Sequence, residues 1–114
     1  MSFVNTKQPL PDVAIIQISG EFYLENTSEV EEIWNSFVQK NPRVVAFDCS
    51  EIEFMDSSAI GILVKFLNQA GQWDIDLVFY NLSETVQMVF ETAKLNNFFT
   101  TMTEEQFTSR YLQK

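Results

Sequence analysis

Histidine is absent from this 114-residue chain, and cysteine occurs once. The first absence removes the commonest general base and the commonest zinc ligand together. The second rules out an internal disulfide, and Cys49 lies in an apolar context. Three glycines and three prolines are too few for a flexible or repetitive chain. Cations are scarce and scattered: seven Lys and Arg stand against sixteen Asp and Glu, a net charge of −9. Such a chain repels phosphate backbones and anionic headgroups, so neither nucleic acid nor a membrane surface is an expected partner. The longest nearly apolar run, Ala59 to Leu67, contains Gly61 and Lys65 and is far too short to span a membrane. Met1 to Lys7 lacks the basic-then-apolar order of a signal peptide. With the single thiol, these features make the cytoplasm the expected location.

What is present reads as one domain over residues 1–114, with 46% hydrophobic residues and eleven phenylalanines to bury or place at interfaces. Val13 to Ser19 is a β-branched run ended by Gly20, a buried strand. Phe3 to Lys7 folds back beside it as an edge strand, after a turn at Pro9 to Asp12. A helix follows with Asn26 as N-cap and Glu29 completing a capping box. Its stripe is Val30, Ile33, Trp34, Phe37 and Val38, and Asn41-Pro42 stops it. Val44 to Asp48 is a second apolar strand, and Cys49 to Met55 reads as a loop. Asp56-Ser57-Ser58 then opens a helix that runs to about Gly71. Ile75 to Tyr80 is a third strand. Ser83 caps a helix with the stripe Val86, Val89, Phe90 and Ala93, and Thr103 with Gln106 caps a last one bearing Phe107 and Tyr111. Strands alternating with helices imply an α/β fold with a mainly parallel sheet and crossover helices. Functional groups in such sheets gather at the carboxyl ends of the strands. That edge carries Gly20-Glu21, Asp48 and the loop from Asp56 to Ser58.

Met55-Asp56-Ser57-Ser58-Ala59-Ile60-Gly61 places a carboxylate before two hydroxyls at the start of a helix. Free N–H groups there accept a hydroxyl as a cap or an added phosphate. Phosphorylation would add about −1.5 to −2 charge without requiring the backbone to move. The same three residues are also an ordinary N-cap signal. In the helix itself, Ile60, Leu63, Val64 and Leu67 make one apolar stripe, suited to dock on the sheet. Ala59, Ile62 and Phe66 make a second, rotated away from the first. Either a neighbouring helix covers this second stripe, or it is exposed around the serines and receives a partner.

The stretch Val45 to Gly71 resembles the signature of the STAS domain, typified by bacterial anti-anti-sigma factors: a strand ending in Asp, a loop, then Met-Asp-Ser-Ser/Thr-Gly-Leu-Gly opening a helix. Ile18 to Phe22 is similar to the second strand and turn of that family. Asn81-Leu82-Ser83 and Leu95 to Phe99 fall where the family has its late turn and terminal motif. The resemblance implies a single STAS-like domain with a mixed, mainly parallel sheet of about four strands flanked by four helices. It also implies a non-catalytic switch, an anti-sigma factor antagonist. In the family, the dephosphorylated form binds an anti-sigma factor that is also a serine kinase, phosphorylation releases it, and a cognate phosphatase restores it. Carried over, Ser58 is the phospho-acceptor, with Ser57 the second choice and the expected cap of the helix. Asp56 positions the loop, and Glu21, Asp56, Ser57, Ser58, Ala59, Ile62 and Phe66 form the partner surface. Ala59 stands where the family most often has Gly, which limits backbone approach by one methyl group. Tyr23 stands where the family often has Asp.

Other readings use the same residues. Some STAS modules are fixed subunits of stress-signalling or lipid-transport assemblies and need no phosphorylation. Asp48, Glu51, Glu53 and Asp56 are carboxylates close enough in sequence to suggest magnesium and a phospho-receiver-like domain. That chemistry wants an adjacent acidic pair and a charged partner on a later strand, and residues 75–80 supply no lysine. Ser57 or Ser58 as a nucleophile lacks a base, since there is no histidine and Lys65 lies two turns down the helix. No metal, cofactor or catalytic residue is therefore expected. Cys49 reads as a small core residue, Trp34 as core, and Trp73 as partly exposed.

Overall fold

Continuous apolar runs in three strands require a sheet covered on both faces. A computed structural model, which describes residues 3–113, shows how the chain meets that requirement. The strands are β1 (Val4–Leu10), β2 (Val13–Phe22), β3 (Val44–Met55), β4 (Asp76–Tyr80) and β5 (Thr100–Met102). They form one sheet in the order β1-β2-β3-β4-β5. Only the β1/β2 pair is antiparallel. The helices are α1 (Thr27–Val38), α2 (Ser57–Trp73), α3 (Glu84–Thr92) and α4 (Glu104–Phe107), the last continued by a π-helical turn, Thr108–Leu112.

The sheet thus has five strands rather than about four, because Thr100–Met102 is too short and polar to announce itself. Two further expectations are corrected. Cys49 to Met55 is not a loop but the second half of β3, burying Cys49, Ile52 and Met55 while Glu51, Glu53 and Phe54 face outward. Asn26 sits at the N-cap of α1 but makes no capping bond there. Its side chain instead accepts from Tyr23 N (2.9 Å) and donates to the Glu21 carbonyl (2.7 Å), folding the turn that precedes the helix.

Alternation assigns each strand's residues to one of two cores. Ala14, Ile16 and Ile18 of β2, Val45 and Phe47 of β3, and Leu77 and Phe79 of β4 face α1, α2 and α3. Val13, Ile15, Val44, Ala46, Val78 and Tyr80 face the other way, under Phe107 and Tyr111. Tyr111 is pinned there: its carbonyl accepts from Arg43 Nη2 (3.3 Å) and its hydroxyl donates to Asp76 Oδ2 (3.1 Å). The first core holds an aromatic stack in which Phe66 lies 4.4 Å from Trp34 and 6.0 Å from Phe47, between ring centroids, with Phe79 5.3 Å beyond Phe47.

This stack decides the open question of the second stripe in favour of a covering helix, and so removes Ala59 and Phe66 from the expected partner surface. Ala59 and Phe66 are completely buried, and Ile62 is half-buried against the core. The buried line of α2 is Ala59, Leu63, Phe66 and Ala70, while Ile60, Val64 and Leu67 are only partly covered. The cause is α1, which lies against α2 and adds a Lys65–Glu31 ion pair and a Trp34 Nε1 bond to Gln69 (2.8 Å). The helix is therefore wrapped by sheet and neighbour together, and its buried line draws residues from both stripes.

Candidate functional site

The geometry of the site follows from an extension of β2 and β3 beyond their neighbours. Asp48 pairs with Tyr80, the last residue of β4, yet β3 runs on to Met55 alongside Ser19–Phe22. Two register shifts accompany the extension, and Gly20 between them has φ +79°, a conformation that side chains strongly disfavour. The tip of this two-stranded arm carries Phe22, Met55 and the start of α2. Asp48 and Ser58 thus share the carboxyl side of the sheet but not one cluster, since seven residues of strand, roughly 20 Å, separate Asp48 from Met55. Asp48 is occupied locally, accepting from Gln17 Nε2 and from Ser50 N, both at 3.1 Å.

At the tip, Asp56 is the N-cap of α2, with extended backbone angles. Its Oδ1 accepts from Ala59 N (2.9 Å) and its Oδ2 from Leu24 N (3.1 Å). One carboxylate therefore closes the helix and ties it to the turn after β2. This corrects the expected division of roles, since the cap is Asp56 and not Ser57. Neither serine hydroxyl makes a hydrogen bond within the described residues; Ser57 is exposed and Ser58 half-buried. The Ala59 methyl points into the core, so it does not obstruct a partner as a glycine-to-alanine change on a contact face would.

Large apolar side chains stand exposed on the arm, on the turn after it and on α3, in places that no helical stripe revealed. Leu24 is 66% exposed, Phe54 46% and Met88 61%. Glu21, itself exposed, is the register partner of Phe54 across the arm. A cleft of about 310 Å³ opens between the start of α2 and α3, walled by Met55, Ile60, Met88 and Val89, with Asp56 and Ser57 at one end. The helix α3 is held against the arm by Ser83. Its Oγ caps Val86 N (3.3 Å) and donates to the Ile52 carbonyl (2.8 Å), and its N–H bonds to Cys49 O (3.1 Å). Of the expected surface residues, Glu21, Asp56, Ser57 and Ser58 come together, Ile62 is peripheral, and Ala59 and Phe66 lie beneath. Leu24, Phe54 and Met88 were missed. Their one signal in the sequence is negative: Phe54 and Met88 are large apolar residues out of phase with the buried positions of their elements, and Leu24 falls in a turn with no buried residue.

Ionisation adds little chemistry here. Burial, with Asp48 nearby, pushes the Cys49 thiol far up, so it stays protonated and inert. The Tyr23 phenol is raised because its hydroxyl donates to Glu25 Oε2 (3.1 Å) beside the carboxylate charge. Asp48, Glu51, Glu53 and Asp56 are strung along one strand and its cap. Among the described residues no three His, Cys, Asp or Glu side chains converge as a metal site would need. Among the same residues no helix is long and apolar enough to cross a membrane.

Known proteins with this arrangement were found by sequence and by shape. The anti-sigma-B factor antagonist of Listeria monocytogenes is 26% identical over 94 residues, 82% of each chain. The crystal structure of an anti-sigma factor antagonist from Mycobacterium paratuberculosis superposes with a TM-score of 0.82, covering 96% of this chain and 93% of that one at 16% identity. The Bacillus cell fate determinant SpoIIAA in its phosphorylated form superposes at 0.74, covering 94% and 97% at 18% identity. At these identities the two structures establish a shared fold. The family model of the STAS domain matches residues 6–107, nearly the whole chain, and with the five-stranded α/β architecture this shows that the chain belongs to the STAS domain family.

Proposed function

We propose that this chain is an anti-sigma factor antagonist that acts by binding, not catalysis. In its unmodified form it holds an anti-sigma factor with serine-kinase activity. Phosphorylation of Ser58 releases that partner, and a phosphatase restores binding. One observation carries the reading: two hydroxyls that the fold does not use stand at the start of α2, with Ser57 beside the cleft that Met88 lines and exposed Leu24 tied to the neighbouring Asp56 cap. A residue free of structural duty can be modified without unfolding the domain. Exposed apolar side chains around it are what a protein interface requires. The names of the curated relatives point to the same partner class.

In such an interface a phosphate must be desolvated next to Asp56, and an unpaired charge there costs several kcal/mol. A penalty of about 3 kcal/mol weakens binding by roughly two orders of magnitude, enough to release a partner at ordinary concentrations. The test incubates the chain with its cognate anti-sigma kinase and ATP, then maps the added mass. It also compares binding by Ser58→Ala and Ser58→Asp. The reading expects modification at Ser58, constitutive binding by Ser58→Ala, and loss of the partner by Ser58→Asp with little change in melting temperature. Modification confined to Ser57 would move the switch by one residue. A Ser58→Asp variant that binds like wild type would leave the chain as a fixed scaffold subunit of an assembly.

A further inference from the structure

We infer that the cleft between α2 and α3 is a second contact for the partner, receiving one apolar side chain that projects from a cationic face of the anti-sigma factor. The inference rests on the antagonist reading above and adds to it the chemistry of the partner's surface. Three features of the surface carry it.

The first is shape. At about 310 Å³ the cleft admits a large side chain rather than a whole helix, and it adjoins Ser57. The second is adaptability. Met88, on the rim, is 61% exposed and belongs to the side chain type best able to mould around an inserted group. Pockets of this kind, filled by one anchor and sealed by neutral contacts, concentrate the binding energy of an interface.

The third is charge. Residues 20–26, 51–62 and 82–93, which build this face, contain Glu21, Glu25, Glu51, Glu53, Asp56, Glu84 and Glu91 and no lysine or arginine, and the exposed Lys94 that follows Ala93 is a single positive charge against these seven negative ones. The cation on the outer part of α2, Lys65, is engaged by Glu31 of α1. A second copy of the chain would bring two acidic faces together and be repelled, as would a nucleic acid or an anionic bilayer. A protein face with an apolar anchor set among Lys and Arg meets both the cleft and its rim.

This assignment changes how release must work. Against a cationic partner, extra negative charge on Ser58 adds long-range attraction, so release cannot come from distant repulsion. It comes from burying the phosphate where the contact is dry. Added salt therefore weakens wild-type binding but does not restore binding to Ser58→Asp.

The experiment uses the full chain and its purified cognate anti-sigma factor, with affinity measured by calorimetry across about 50 to 300 mM salt. Met88→Ala removes the adaptable wall, and Ala93→Trp fills the cleft from the exposed end of α3. Trp73→Ala, at the opposite end of α2, is the control. Met88→Ala is expected to weaken binding about tenfold and Ala93→Trp more, with melting temperatures held, and Trp73→Ala to bind as wild type. If both cleft variants bind within about threefold of wild type while Ser58→Asp releases the partner, the cleft is not a contact and the antagonist reading stands. If wild-type affinity is indifferent to salt, the partner face is not cationic and the inference falls. If Ser58→Asp binds like wild type, or the anti-sigma factor does not bind at all, the antagonist reading falls and takes the inference with it.

Discussion

Replacing Phe66 with alanine separates core from contact surface in one measurement. The ring is fully buried and stacked on Trp34 at 4.4 Å, with Phe47 at 6.0 Å. A buried aromatic ring removes about 200 Å² from water, worth roughly 5 kcal/mol at 25 cal/mol per Å². Measured truncations of this type fall at about 3–5 kcal/mol, because the surrounding side chains collapse only in part. Around Phe66 the collapse is restricted, since flat rings stack on it and the sheet lies below. We therefore expect a loss of about 4 kcal/mol, a large share of the roughly 5–15 kcal/mol that holds a domain together. The melting temperature should drop by about 15 °C. Urea unfolding followed by far-ultraviolet circular dichroism gives the free energy, and Trp34 fluorescence reports the loss of its stacking partner. Phe54→Ala is the comparison: that ring is 46% exposed, and its removal should cost under about 1 kcal/mol while weakening the partner. A Phe66→Ala protein that loses less than about 1 kcal/mol, or loses the partner at unchanged stability, would refute the placement of this ring.

The remaining expectations concern the cap, one helix end and alkaline pH. Asp56→Ala removes acceptors for both Ala59 N and Leu24 N and should cost about 1–2 kcal/mol by urea unfolding, whereas Ser57→Ala should cost almost nothing. Lys94 holds φ +60° just past α3, where Leu95 N bonds to Phe90 O and Lys94 N to Glu91 O, the pattern in which glycine is usual. Lys94→Gly should therefore raise stability by about 0.5 kcal/mol; destabilisation in a thermal melt would contradict this. Burial raises the Cys49 thiol, so above about pH 8.5 the unfolded chain loses this proton while the folded one keeps it. Stability should then fall with rising pH, by up to about 1.4 kcal/mol per unit from this group. The slope between pH 9 and 10 should be shallower in Cys49→Val, and an unchanged slope would count against the buried thiol.

The fold was legible where the pattern was simple. The runs at 13–19, 44–48 and 75–80 appear as β2, the first part of β3, and β4, each with the two-faced burial that an unbroken apolar run implies. The capping box at Thr103 and Gln106 is present with both bonds, at 2.9 and 3.1 Å. The misreadings share a cause: a local signal was outbid by a distant contact. Residues 49–55 read as a loop, yet the partner strand 19–22 keeps them extended. Asn26 and Glu29 spelled a capping box, yet Asn26 is drawn off by Tyr23 and Glu21. The second stripe of α2 was ambiguous from the sequence because only the position of α1 decides whether Phe66 meets Trp34 or solvent. The proposed contact surface was hardest to read, since exposed Leu24, Phe54 and Met88 come from three separate elements with no common period.

The arrangement of Asp56 and Ser58 would let the proposed modification sit two residues from a structural cap without interfering with it. The acceptors that close α2 and hold the β2–α1 turn both belong to Asp56, whose two oxygens are already engaged. A phosphoryl group on Ser58 would find the Ala59 N–H taken and would have no fold-stabilising bond to displace at the serine hydroxyl. Its charge of about −1.5 to −2 would join a face on which carboxylates far outnumber cations. The domain would keep its shape while the face presented to a partner changed by more than any single substitution could achieve. Were Ser57 or Ser58 the cap, phosphorylation there would compete with folding and loosen the helix. With the cap at Asp56, a phosphate on Ser58 would cost the helix no capping bond.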